Sequence, residues 1–217
     1  MIKAIIFDFD GLIVDTETTW YECYREVLAS HNLELSIEQF SKVIGTTDEV
    51  LYDYIRGNLQ KPVEREEIES AVRSLFAGKM GEPFLREGVE DYLKEAKEMG
   101  LKIGLASSSR REWVESYLKK LGIFHYYEVI KTGDEVAKVK PDPELYARAV
   151  EALGIEPREA VAFEDSLNGL IAAIGAGVHC VVVPNQVTAH LAFKGHRHRL
   201  SSMGEMSLKE VLQIVEG

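Results

Sequence analysis

Only two cysteines, Cys23 and Cys180, stand in 217 residues. Two thiols cannot build a disulfide framework, so the fold has to rest on a packed core. Positive charge is also scarce: 25 Lys and Arg against 36 Asp and Glu leave a formal net charge of −11. A surface that acidic repels phosphate backbones and anionic lipid, which argues against nucleic acid or a membrane surface as partner. No apolar run approaches the roughly 18 residues needed to span a bilayer. The first residues are no secretory signal, because the short apolar run Ile2 to Phe7 is ended by Asp8 and Asp10. There is no internal repeat and no low-complexity segment. The expectation is a cytoplasmic protein, a monomer by default, whose partner is a small molecule.

Hydrophobic residues make up 46% and aromatics 9% of the chain, enough to bury a core. Ile2 to Phe7 is continuously apolar and rich in β-branched residues, the pattern of a strand covered on both faces. Leu101–Ala106, Tyr127–Ile130, Ala160–Phe163 and Val178–Val183 read the same way. Helical stripes lie between them: Val89–Met99, Trp113–Leu121, Glu144–Leu153 and Leu167–Ala176, each closed by a glycine. This alternation predicts an α/β fold with a doubly wound, Rossmann-like parallel sheet. From Thr16 to Arg86 only helical periodicity is found, as in Trp20–Ala29 and Ile68–Phe76. That stretch reads as an α-helical cap inserted into the core, with residues 1–15 and 87–217 forming the core and 16–86 the cap. Two chain crossings between them form a natural double hinge.

Open α/β sheets bind ligands beyond the C-terminal ends of their strands. Those ends carry Asp8-Phe9-Asp10-Gly11, Ser107-Ser108-Ser109, Lys140-Pro141-Asp142-Pro143 and Glu164-Asp165-Ser166. Clustered carboxylates raise one another's pKa unless a cation sits among them, and oxygen donors without His or Cys suit Mg²⁺. With its charge offset by that cation and by Lys140, Asp8 can attack phosphorus. Asp10, two residues on, can protonate a departing alkoxide and later deprotonate water. Ser107, Ser108 and Lys140 are candidates for holding phosphoryl oxygens. His190, His196 and His198 read as surface residues of a loop rather than metal ligands.

Asp8-Phe9-Asp10-Gly11-Leu12-Ile13-Val14-Asp15-Thr16-Glu17 closely resembles the first motif of the haloacid dehalogenase-like superfamily, in its phosphatase and β-phosphoglucomutase branch. Leu105 to Ser109, Lys140 to Pro143 and Phe163 to Gly169 follow in that family's order, so the resemblance covers nearly the whole chain. It implies Asp8 as the phosphate-accepting nucleophile and Asp10 as the general acid/base. It also implies Mg²⁺ on the Asp8 carboxylate, the Asp10 backbone carbonyl and Asp165, with Glu164 either a ligand or a support. Asp10 fits phosphatases and mutases; ion-pumping members carry Thr at this position, and the dehalogenases lack the second acid.

The mutase branch resembles Asp-Thr-x-x-x-His at the start of the cap, where the His engages the general acid. Here that position is Trp20. The branch also has a basic cap segment for a second phosphate, where this chain has Ile44-Gly45-Thr46-Thr47-Asp48. Trp20, Thr47 and Asp48 are therefore the cap residues expected to set specificity. The expected activity is Mg²⁺-dependent hydrolysis of a small phosphate ester such as a sugar phosphate, with a phosphohexomutase as the alternative. A receiver-like module that is phosphorylated without turnover is a remote third, since such modules run to roughly 120 residues and lack a cap.

Overall fold

The computed structural model describes all 217 residues. Its sheet has six parallel strands: β1 (Ala4–Phe7), β2 (Lys102–Ala106), β3 (Val129–Lys131), β4 (Ala160–Glu164), β5 (His179–Val182) and β6 (His198–Arg199). Their order is β3-β2-β1-β4-β5-β6. The chain moves one way from β1 to β2 and β3, then returns to place β4 on the other side of β1. The direction of winding therefore reverses between β1 and β4, which opens a crevice at their C-terminal ends. Ile5 and Phe7 of β1 pack on one face of the sheet, and Ala4 and Ile6 on the other. This two-sided burial explains why the strands read as apolar runs instead of alternating.

Helices α5 (Val89–Glu98), α6 (Arg111–Lys120) and α9 (Leu208–Glu216) cover the first face. Helices α7 (Glu144–Leu153) and α8 (Leu167–Gly175) cover the second. The two-residue β6 and helix α9 were not anticipated from the sequence. The Ser207 hydroxyl caps α9 by accepting from the Glu210 N–H, while the Glu210 side chain accepts from the Ser207 N–H.

Between β1 and α5 stand α1 (Thr16–Ser30), α2 (Ile37–Phe40), α3 (Glu49–Asn58) and α4 (Arg65–Met80). They bury their own apolar cluster, including Cys23, Leu28, Leu51, Ile55, Val72 and Phe76, to which the core adds Val187 and, at its edge, Trp113. Asp15 starts α1 by accepting from the Thr18 N–H and O–H.

The return crossing is fixed by Arg86. Its backbone N–H donates to the Ile13 carbonyl, and its guanidinium to the carbonyls of Gly11, Val183 and Pro184. One side chain thus ties both crossings to the sheet edge. Gly88, two residues on, has φ +81°, and a Cβ there would overlap the backbone of Met203 and Gly204. Gly78 in α4 has open space around it and no positive φ. Gly88→Ala is therefore expected to cost about 1–3 kcal/mol of unfolding free energy. Gly78→Ala is expected to add about 0.5–1 kcal/mol. Denaturant unfolding of the two variants checks the opposite signs.

Candidate active site

The crevice collects the strand-end residues. Asp8 follows β1 directly, and Ser107 follows β2; both are buried. Glu164 ends β4, with Asp165 and Ser166 next. Lys140 comes from the connection between β3 and α7, and its side chain is fully buried. Its ammonium donates to Asp8 and, at 2.6 Å, to Glu164. Glu164 Oε1 also accepts from the Tyr146 hydroxyl at 2.6 Å, and Oε2 accepts from Ser166 at 3.2 Å. Both Glu164 oxygens are therefore engaged, Oε1 by Lys140 and Tyr146 and Oε2 by Ser166.

Asp165 differs. Its Oδ2 accepts from the Asn185 amide at 2.7 Å, whereas its buried Oδ1 has no hydrogen-bond partner. Ligand atoms of Asp8, Glu164 and Asp165 lie within 4.8 Å of one another, so this buried acidic group is able to hold a metal ion. An orphaned carboxylate oxygen in an oxygen-only donor set fits a hard divalent cation. Gly11 lets the chain pass this close: it has φ +81°, and a Cβ there would collide with Asp165 and Asn185.

Electrostatics follow from burial. Desolvation pushes the Asp8 carboxyl up to about 8, with Lys140 pulling down and Glu164 pushing up. Desolvation likewise drives Asp165 well above the carboxylate range, reinforced by Asp8 and Glu164. For Lys140, burial opposes the charge, but the Asp8 and Glu164 carboxylates overcome it and hold the ammonium above lysine's ordinary value. Three buried carboxylates around one ammonium leave surplus negative charge, which a divalent cation would neutralise.

Asp10 has a separate environment. Oδ1 accepts from the Thr16 hydroxyl and from the Trp113 indole N–H, both at 2.9 Å; Oδ2 accepts from the Ser109 hydroxyl at 2.5 Å. Burial raises its pKa, and these three donors oppose the rise. Asp10 lines a cavity of about 340 Å³ with Glu17, Trp20, Arg73, Ser109, Arg110 and Trp113. Next to it, between cap and sheet edge, lies a larger cavity of about 960 Å³. Burial drives Glu17 well above the carboxylate range, helped by Asp10 and Asp8.

The other sequence candidates take definite positions. Ser107 is buried, and its Oγ accepts from the Ser109 N–H at 3.1 Å. The Ser108 hydroxyl donates to the cap carbonyl of Gly45 at 2.8 Å, so it docks the cap rather than lying free for phosphate. Asn168 makes a similar dock, its amide donating to the Ile44 carbonyl at 2.8 Å. Trp20 stacks on Phe76 at 3.8 Å between ring centroids and makes no hydrogen bond to Asp10. Thr47 and Asp48 line the larger cavity. Asp48 accepts from Arg65, which also binds Glu49 and Glu69 and covers the Tyr52 ring, so its charge is balanced inside the cap. Lys79 is engaged by Glu22 and Glu26. Of the three histidines, only His190 is exposed; His196 and His198 are half-buried, and none joins the acidic group.

Sequence reasoning placed Ser109 at a strand end without its bond to Asp10, and missed Trp113, Tyr146, Asn185 and Arg86. Asn185 was accessible to the strand-end rule, since it follows the last strand predicted from the apolar runs by two residues. Trp113 gave no such signal, because an aromatic on a helical stripe reads as core.

A family model described as haloacid dehalogenase-like hydrolase matches residues 5–183. The chain belongs to this family. Among haloacid dehalogenase-like relatives, the Bacillus subtilis protein named "Putative phosphatase YhcW" is 50% identical over 98% of this chain and 97% of its own length. Hexitol phosphatase B of Escherichia coli K12 is 30% identical over 97% of each chain. The crystal structure of CbbY from Rhodobacter sphaeroides in complex with phosphate superposes with a TM-score of 0.77 at 34% identity, covering 96% of this chain and 98% of that one.

Two metal-binding predictions follow from this haloacid dehalogenase-like site. Mg²⁺ at millimolar concentration is expected to raise the thermal unfolding midpoint, and Asp165→Asn to abolish the rise. Lys140→Met leaves Asp8 and Glu164 buried without their counter-charge, and is expected to cost about 3–5 kcal/mol in metal-free buffer. Calorimetry and denaturant titration with and without Mg²⁺ measure both.

Proposed function

We propose that the protein is a Mg²⁺-dependent phosphatase of small phosphorylated metabolites, sugar phosphates foremost, working through an aspartyl phosphate on Asp8. The observation that carries this reading is the contrast between two carboxylates two residues apart. Asp8 is paired with a buried ammonium beside an acidic metal-binding group; Asp10 is held by three uncharged donors at a cavity wall. Two acids with such different surroundings are suited to two roles.

An Asp8 oxygen attacks the phosphorus of the ester while the bond to the leaving alkoxide breaks, and Asp10 gives that oxygen its proton. Asp10, now ionised, takes a proton from water; the water oxygen attacks the aspartyl phosphate, inorganic phosphate departs, and Asp8 is regenerated. The Asp8 carboxylate, the Asp10 carbonyl and Asp165 would hold Mg²⁺, which neutralises charge on the transferring phosphoryl group. Lys140 opposes the effect of burial on Asp8 and holds it in position, and Glu164 with Tyr146 keeps Lys140 there. Ser107 is the phosphoryl-binding hydroxyl.

The cap favours small substrates. Ser108 and Asn168 hold its Ile44–Gly45 segment against the core, so a ligand in the cavities is shielded from bulk water. The relatives named above include a hexitol phosphatase and a protein crystallised with phosphate. For a mutase, the cap would be expected to supply the general acid's partner and a cation for a second phosphate. Trp20 instead stacks on Phe76. Of the cap cations, Arg65 is engaged by three carboxylates, while Arg73 lines the Asp10 cavity with one ion pair at 3.7 Å to Glu69, so it is Trp20 that weighs against a mutase.

The test is product analysis on a panel of sugar and polyol phosphates with Mg²⁺, β-glucose 1-phosphate included, with and without a bisphosphate primer. Free phosphate without isomerised sugar phosphate is expected; isomer in excess of phosphate overturns the assignment in favour of a mutase. Asp8→Ala is expected to lower turnover by roughly 10³-fold or more while leaving the fold intact by circular dichroism.

A further inference from the structure

We propose that Trp113 is a positioning residue for proton transfer: its indole N–H fixes which oxygen of Asp10 carries the transferable proton. The inference rests on Asp10 being the general acid and goes beyond it to the device that orients that acid.

Thr16 and Ser109 meet Asp10 with hydroxyls, which rotate to donate or accept. Trp113 meets it with an indole N–H, which only donates. Oδ1 accepts from that N–H and from the Thr16 hydroxyl, both at 2.9 Å. Thr16 can reverse but the indole cannot, and a fixed donor binds best to the carbonyl oxygen of a neutral carboxyl, so it marks Oδ1 as the oxygen without the proton. Oδ2 faces Ser109 alone, and that hydroxyl can reverse to accept. The neutral acid therefore carries its proton on Oδ2, beside Ser109, a residue of the cavity wall.

The indole is itself well held. It packs on Tyr117 with ring centroids 4.6 Å apart and borders Phe76 at 5.8 Å and Trp20 at 6.3 Å. Trp113 belongs to α6 of the core, whereas Trp20 and Phe76 belong to the cap, so one side chain touches both bodies while gripping the acid between them. Trp20 stands where the mutase-branch motif puts a histidine, and the donor to Asp10 comes instead from the core. The acid is thus oriented from the body that also carries Asp8.

The consequence is a dependence on the leaving group. A sugar alkoxide needs a proton to depart, whereas p-nitrophenolate does not, and kcat/KM reports the steps up to transfer onto Asp8. Trp113→Phe keeps a ring against Tyr117 and deletes the N–H. Its kcat/KM for the best sugar phosphate is expected to fall about tenfold or more, and that for p-nitrophenyl phosphate by no more than about threefold. Equal losses on the two esters, or no loss on either, overturn the proposal while the phosphatase reading stands. A wild-type protein that hydrolyses neither ester with Mg²⁺ removes both. A second readout does not need the variant to fold. The chain has two tryptophans, so its ¹⁵N–¹H spectrum carries two indole cross-peaks, one of which Trp113→Phe or elimination assigns. Asp10→Ala should move the Trp113 peak and leave Trp20's nearly in place; an unmoved Trp113 peak contradicts the bond.

Discussion

At the centre of the molecule a lysine ammonium, shut off from water, lies between two carboxylates delivered by different strands. Lys140 pairs with Asp8 and Glu164 at once, and without its ammonium both carboxylates would be uncompensated buried charges. Much of the surrounding architecture serves that arrangement. The parallel pairing of β1 with β4 sets Asp8 and Glu164 side by side. Tyr146 adds a second donor to the Glu164 oxygen that binds Lys140, and Ser166 occupies the other. Asn185 turns Asp165 so that one oxygen remains free in the crevice. The surplus negative charge that results is what gives the site its fit to a divalent cation and, through it, to phosphate.

The cap is a second, nearly self-sufficient body whose charges are balanced internally. Arg65 collects Asp48, Glu49 and Glu69, and Lys79 collects Glu22 and Glu26. Toward the cavities it presents Trp20 and Phe76 together with Glu17, Thr47, Asp48 and Arg73. An aromatic wall flanked by polar and charged groups suits a ligand that offers C–H faces and hydroxyls. Arg86 keeps both crossings of the chain against the sheet edge, close to Asp8 and Asp10.

The strands were legible because burial on both faces leaves a continuous apolar run, and the helices between them because glycine closes each. Asp8, Asp10 and Asp165 were legible because each closely follows a strand end, where the fold gathers ligands, and Lys140 because it lies in the connection beyond the third strand. Strand β6 is two residues long and leaves no periodic trace. Other features depend on distant parts of the chain. Whether Glu164 faces a metal or a lysine is decided by Tyr146 and Lys140, which lie far from it in sequence. Ser108 looks like a phosphate ligand until Gly45 is seen to receive its hydroxyl. Trp113 sits on an amphipathic stripe, and nothing local separates its indole N–H from any core tryptophan's.

The central claim is that Asp8 receives the phosphoryl group and Asp10 governs its release. The most direct measurement is tandem mass spectrometry of the Asp10→Asn variant after incubation with Mg²⁺ and p-nitrophenyl phosphate, an ester whose leaving group needs no proton. The account predicts one phosphoryl group per chain, on the peptide containing Asp8, persisting because its hydrolysis has lost the base. A phosphoryl group on any other residue, or full turnover in this variant with Asp8 never modified, would contradict it.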